Sequence, residues 1–293
     1  MDTPAPMTSI LVLTAKPGSN ILDTTTLARL PASLGAPTWL GAGEAVEFEV
    51  AGDPRAEVRA SLADLPVDVN LVPLEGRRKK LLVADMESTM IENEMLDELA
   101  AEIGIGAEIA AITGRSMRGE IDFATSVKER VAMLKDLPLA IMDKCAAEIR
   151  DMAGAKTLIA TLKANGCHTV IATGGFTYFS EPVRQRLGFD EAHGNILELA
   201  DGKLTGTIVE PVFDRASKEK TLRAVAARLG LDLSETAGVG DGANDLDLLA
   251  AAGLGVAFHA KPIVAEAAHF RVDHGDLTAL LYLQGYKQAE FAA

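Results

Sequence analysis

Three short apolar runs in this chain each end abruptly in a motif of carboxylates, hydroxyls or glycines. Leu81–Ala84 runs into Asp85-Met-Glu-Ser-Thr89, Thr169–Ala172 into Thr173-Gly-Gly175, and Ala237–Val239 into Gly240-Asp-Gly-Ala-Asn-Asp245. A short continuous apolar run of this kind has the pattern of a strand buried on both faces. Helical patterning separates the runs, over Phe176–Leu187, Lys218–Leu229 and Asp245–Ala252, and a further strand is expected at Gly255–Phe258. Strands alternating with helices predict an α/β fold, a Rossmann-like parallel sheet covered on both faces. In such sheets ligands collect outside the carboxyl ends of the strands, so the three motifs should meet in one place.

Two regions do not share this alternation. Before Leu81, strand patterns at Ser9–Ala15, Thr38–Leu40, Ala45–Val50 and Val67–Val72 are interleaved with helical stretches at Asp23–Leu34 and Pro54–Leu65. That βαββαβ order predicts a small α+β, ferredoxin-like unit. The basic run Glu75-Gly-Arg-Arg-Lys-Lys80 behind it reads as a solvated connector. From Glu94 to Ala153 the pattern is helical with no strand, as expected of an insertion lying over the sheet, and Ala192–Glu210 reads as a polar hairpin. The expected division is residues 1–76 for the small unit, 81–93 with 154–286 for the core, and 94–153 for a helical cap.

Composition narrows the partners. The net charge of −14 argues against a nucleic-acid or anionic-membrane surface, both of which need basic patches. An anionic substrate would need local positive charge from a few side chains or a metal. With hydrophobic residues at 48% of 293, there is ample material for a buried core. Cys145 and Cys167 lie far apart in no metal-ligand spacing and read as reduced, buried thiols. No stretch reaches the roughly 18 apolar residues of a membrane span. The opening Met-Asp-Thr-Pro-Ala-Pro has no basic and apolar leader pattern, so a soluble cytoplasmic protein is expected. The sequence leaves the oligomeric state open and allows a homodimer.

The chemistry available at the strand ends is specific. Asp85 and Asp241 offer hard carboxylate oxygens of the type Mg²⁺ prefers. Thr173, with the Gly174 and Gly175 amides, could cradle phosphate oxygens, and Lys218 at a helix start could bring a point charge to them. A carboxylate beside Mg²⁺ stays ionised and can attack phosphorus. A lone D-x-E or T-G-G means little; the ordered set, each member at a strand end, is hard to explain as packing.

These residues resemble the haloacid dehalogenase superfamily, and most closely its phosphoserine phosphatases, over about Leu81 to Tyr286. Met117-Arg-Gly-Glu-Ile-Asp-Phe-Ala-Thr-Ser-Val-Lys-Glu-Arg130 is similar to the cap segment of that family. The resemblance implies Mg²⁺-dependent hydrolysis of O-phospho-L-serine, the last step of serine biosynthesis, through a phospho-aspartyl intermediate. It makes Asp85 the nucleophile and a metal ligand, and Glu87 the general acid/base with its backbone carbonyl on the metal. Asp241 completes the ligands. Thr173, Gly174, Lys218 and Asn244 hold the phosphoryl group, and Asp245 steadies Lys218. Glu94 and Arg130 read the substrate's ammonium and carboxylate, matching a point anion and a planar fork to them. The pattern departs at Glu87, where the family usually carries aspartate. The glutamate is longer by one bond of roughly 1.5 Å but keeps a protonatable group. Phosphotransfer to an acceptor such as homoserine, hydrolysis of another small phosphomonoester, and a regulatory binding protein without catalysis remain as alternatives. The N-terminal region resembles ACT-type domains more loosely and carries no ligand motif.

Overall fold

In the computed structural model, which describes residues 8–293 apart from the side chains of Thr8 and Met117, β1 (Thr8–Ala15) is a central strand of an antiparallel sheet. The opening Met-Asp-Thr-Pro-Ala-Pro, read above for a leader, lies outside the described residues, as does the start of the 1–76 region. β2 (Thr38–Gly41), β3 (Ala45–Ala51) and β4 (Val67–Pro73) complete the sheet in the order β2-β3-β1-β4. Period-two alternation along β1 sends Leu11, Leu13 and Ala15 to one core, with Val46, Phe48 and Val58. It sends Ile10 and Val12 to the other face, into the large core that also holds Tyr282 and Tyr286. The helices here are shorter than their patterns: α1 is Thr24–Leu27 and α2 is Arg55–Ser61. Pro31 interrupts the first stretch, because proline lacks the amide that a helix interior needs.

The connector is only partly solvated: Glu75, Gly76, Arg78 and Lys80 are exposed as its charge led us to expect, but Arg77 and Lys79 are drawn into the protein. Arg77 pairs with Glu47 at 2.8 Å and reaches the carbonyls of Tyr282 and Leu283 at 3.3 Å. Arg78 lies 3.9 Å over the Tyr286 ring and pairs with Glu290. Lys79 is buried, donating to the Gly76 and Ser234 carbonyls at 2.7 Å. Tyr282, Leu283 and Glu290 lie more than 200 residues on in sequence and Ser234 155 residues on, and a charge run read locally cannot reveal them.

The second sheet is fully parallel. Its strands β5 (Leu81–Ala84), β6 (His168–Phe176), β7 (Glu191–Asn195), β10 (Thr236–Gly240), β11 (Leu254–Phe258) and β12 (Phe270–Val272) run in the order β12-β11-β10-β5-β6-β7. Both faces are covered. Leu82, Ala84 and Ile171 pack in the cluster holding α7 (Ala155–Ala164) and α8 (Thr177–Leu187) residues. Leu81, Val83, Val170 and Ala172 face Leu222, Val225 and Leu248 of α9 (Arg215–Leu229) and α10 (Leu246–Ala251). Ala192–Glu210 is therefore only partly a hairpin. Its first residues join the sheet as β7, and β8 (Leu197–Ala200) with β9 (Lys203–Ile208) form the hairpin. β12, α11 (Pro262–Ala267) and α12 (Ala279–Leu283) were not anticipated.

The insertion after β5 is helical: α3 (Met95–Glu102), α4 (Gly106–Met117), α5 (Phe123–Ala132) and α6 (Leu139–Ala147). The turn after α5 is stitched to β9, with Asp136 donating to the Leu204 carbonyl at 2.9 Å and Leu204 to that of Leu137 at 3.0 Å. Among the described residues no helix is long and apolar enough to cross a membrane. Cys145 and Cys167 are free and buried, and desolvation pushes the Cys167 thiol up to about 12.

Candidate active site

Asp85 is the first residue past β5, and its amide donates to the Val239 carbonyl at 2.9 Å, which ties the ends of β5 and β10 together. Its Oδ1 accepts from the Met86 amide at 2.8 Å and from Lys218 Nζ at 2.7 Å. Lys218 sits one turn into α9, whose start is fixed by a capping box between Asp214 and Ser217. Its ammonium has a second anion in Asp245 Oδ1 at 2.6 Å, while Asp245 Oδ2 accepts the Gly242 amide at 3.0 Å. Burial opposes the charge on Lys218, but the two carboxylates outweigh it and hold its pKa above the ordinary value.

Asp85, Asp241 and Asp245 bring carboxylate oxygens within 4.8 Å of one another, with one buried ammonium among them. Desolvation, and then the Asp85 charge, raise both Asp241 and Asp245, the latter to about 7. This surplus of hard anionic oxygen suits a divalent cation. Asp245 has both oxygens engaged already, so Asp85 and Asp241 are the better donors. Lys261, three residues past β11 and just before α11, stands 3.6 Å from Asp241 Oδ2, and its amide donates to the Asp241 carbonyl at 3.0 Å.

Glu87 is held between core and insertion. Its Oε1 accepts from the Met95 amide at the start of α3 at 3.1 Å, and its Oε2 from the Thr173 hydroxyl at 3.4 Å. Desolvation, followed by the Glu94 and Asp85 charges, raises this carboxyl to about 8, so it is mostly protonated at neutral pH. Glycine at 175 makes the room: a Cβ there would lie 2.6 Å from Glu87 Oε2.

A cavity of about 520 Å³ opens over these groups. Asp85, Glu87, Asp241, Asn244 and Gly174 line its sheet side, and Glu94, Arg130, Phe123 and Val127 its helical side. Glu94 accepts from the Ser88 hydroxyl at 2.7 Å, and Ser88 adopts a left-handed φ of 54° at this turn. Desolvation raises the Glu94 carboxyl, with Asp241 and Asp85 adding to it. Arg130 Nε donates to the Ser126 carbonyl one turn back at 3.2 Å.

Seven of the ten expected residues thus line one cavity, while Thr173, Lys218 and Asp245 are buried behind its wall. The phosphate cradle needs correcting. Thr173-Gly-Gly lies within β6, where the register to β7 shifts, and not past it. The Gly175 amide is already spent on Thr173 Oγ1 at 2.9 Å. Lys261 was missed, although the rule that found the other motifs covers it, since it follows the strand Leu254–Phe258.

Comparison with known proteins agrees with this geometry. The family model for haloacid dehalogenase-like hydrolases matches residues 82–250. The phosphoserine phosphatase of Streptomyces coelicolor is 43% identical over 282 residues, covering 94% of this chain and 66% of its own length. Phosphoserine phosphatase SerB2 of Mycobacterium tuberculosis is 43% identical over 220 residues, covering 75% of this chain and 54% of its own. The chain therefore spans between about half and two thirds of those two relatives. The unliganded structure of a probable phosphoserine phosphatase from Vibrio cholerae superposes with a TM-score of 0.81 at 33% identity, covering 96% of this chain and 88% of that one. The chain belongs to the haloacid dehalogenase-like hydrolases, in the branch that holds the phosphoserine phosphatases.

Proposed function

We propose that this chain is a Mg²⁺-dependent phosphatase that hydrolyses O-phospho-L-serine to L-serine and phosphate. The observation that carries the reading is one cavity lined by the lysine-braced carboxylate of Asp85, by Glu87, whose carboxyl desolvation pushes up, and on its helical side by Glu94 and Arg130. The relatives' names, phosphoserine phosphatase, support the same substrate.

In this reading Asp85, Asp241 and the Glu87 backbone carbonyl hold the Mg²⁺. Bound there, the ion supplies positive charge to the phosphoryl oxygens. The Asp85 carboxylate bonds to phosphorus as the bond from phosphorus to the serine oxygen breaks, and Glu87 gives its proton to that oxygen. The ionised Glu87 then takes a proton from water, whose oxygen bonds to phosphorus and displaces Asp85, restoring both residues. A carboxyl raised to about 8 suits this exchange, since it is loaded with a proton at the start. Thr173, Gly174, Asn244 and Lys218 hold the phosphoryl group and its nucleophile in register, with Asp245 fixing Lys218. Arg130 takes the substrate carboxylate through its fork and Glu94 takes the ammonium. Residues 94–153 act as a cap that excludes water, residues 1–76 as a supporting unit, and the enzyme works in the cytoplasm on a small-molecule substrate.

The test compares phosphate release from O-phosphoserine and from O-phosphoethanolamine, which lacks the carboxylate. Hydrogen bonds between charged groups are worth about 1.5–3 kcal/mol, so kcat/KM should favour phosphoserine by about tenfold or more. Arg130→Ala should remove that preference while sparing phosphoethanolamine. Equal use of both substrates by the wild-type protein would contradict the reading.

A further inference from the structure

We propose that Asp68 and Asn70 of the N-terminal unit are positioning residues for the Asp241 side of the site, so that this unit is part of the catalytic scaffold. The inference rests on the reading of Asp241 as a metal ligand. β12 is the edge of the parallel sheet and β4 the edge of the antiparallel one. An edge strand leaves amides and carbonyls in need of partners. Here side chains of β4 supply them. Asn70 acts as a surrogate strand, giving its Nδ2 to the Arg271 carbonyl at 2.8 Å and accepting the Arg271 amide on Oδ1 at 3.0 Å. Two residues earlier on the same face, Asp68 accepts the amides of Asp273 at 2.7 Å, His274 at 3.2 Å and Gly275 at 2.9 Å. Consecutive amides converging on one point form an anion nest, and the N-terminal unit fills it with its own carboxylate. Asp68 is 3% exposed and Asn70 1%, so neither bond set competes with bulk water.

The nest is joined to the site by a short run of bonds. The Gly275 carbonyl faces His259 Nε2 at 2.8 Å, and the His259 amide donates to the Val272 carbonyl at 2.8 Å. The His259 ring is stacked on Phe258, with centroids 4.1 Å apart. Its backbone is in the left-handed region at φ 43°, a conformation that costs energy outside glycine and persists only where surrounding bonds hold it. Two residues on, Lys261 donates its amide to the Asp241 carbonyl. The end of β11 is thus clamped between the 273–275 nest on one side and Asp241 on the other. Releasing the nest frees the turn that fixes the Asp241 backbone.

The experiment uses the full chain and measures Mg²⁺ binding directly by calorimetry, alongside steady-state phosphate release. Asp68→Asn keeps size and shape but removes the charge. His259→Phe keeps the stack on Phe258 and removes the bond to Gly275. Loss of a supporting partner behind a metal ligand typically costs about 10–100-fold in affinity or activity, and at this remove a five- to tenfold rise in the Mg²⁺ Kd is expected in both variants. Arg29→Ala breaks an exposed pair with Asp64 in the same unit and should leave the Kd unchanged, which separates positioning from general loosening. Variants that lose thermal stability yet bind Mg²⁺ within about twofold of wild type would overturn the inference. Should Asp68→Asn not fold, the same criterion on His259→Phe decides. A wild-type protein that binds no Mg²⁺ would overturn the functional reading, and this inference with it.

Discussion

Gly175→Ala should damage catalysis while leaving the fold and substrate recognition almost intact. The added Cβ would stand 2.6 Å from Glu87 Oε2 and 3.0 Å from its Cδ, where ordinary contact begins at 3.4 Å. The carboxyl must therefore retreat by about 0.8 Å, drawn away from the Thr173 hydroxyl and Met95 amide that orient it. A misplacement near 1 Å can cost about 100-fold, so kcat for phosphoserine should fall by about 30- to 100-fold. That is about 2–2.7 kcal/mol on the barrier. Arg130 and Glu94 are untouched, so KM should stay within about threefold. Gly175 is outside the left-handed region, so alanine fits the backbone and the melting temperature should move little. The cleanest assay is a double-mutant cycle with Glu87→Asp. The shorter side chain withdraws by one bond of roughly 1.5 Å, so the alanine should cost the Glu87→Asp enzyme much less than it costs wild type. A Gly175→Ala enzyme turning over within about threefold of wild type would refute the placement of Glu87 at the reacting atoms.

Other expectations follow from buried charge. Lys218→Met leaves Asp85 and Asp245 without their shared cation, and breaking a buried pair by removing one partner costs about 3–5 kcal/mol; a loss under about 1 kcal/mol in urea unfolding would contradict the geometry. Glu191 opposes its own desolvation through Arg228, His168 and His193, which hold its carboxyl down to about 2. Its contribution is therefore present above the ordinary carboxyl value of 4.5 and is lost as pH falls through about 2. The melting-temperature gap between wild type and Glu191→Gln should shrink from about pH 5 to about pH 3, and a gap that widens would reverse the assignment.

What could be read in the sequence was what is local and contiguous. β5, β10 and β11 are short apolar runs that end in chemistry, and parallel pairing alone brings Asp85 and Asp241 together. Arg130 and Glu94 needed the resemblance, since each by itself looks like a charge on a helix face. The connector was legible only in part because its acceptors, Tyr282, Leu283 and Glu290, belong to a distant segment. β7 was taken into a hairpin because His193 and Gly194 dilute its apolar pattern at the sheet edge. The Gly175 amide looked free for a phosphate oxygen, whereas it is already given to the Thr173 hydroxyl. Side-chain competition of that kind has no periodic signature.

The most direct test of the central claim is phosphate release from O-phospho-L-serine by purified protein, with and without Mg²⁺, set against Asp85→Asn. Turnover should require Mg²⁺ in the wild type and fall by at least about 10³-fold in the variant, which keeps the shape of Asp85 but not its nucleophilic charge. Turnover that survives in Asp85→Asn, or a folded wild-type protein that releases no phosphate with Mg²⁺ present, would contradict it.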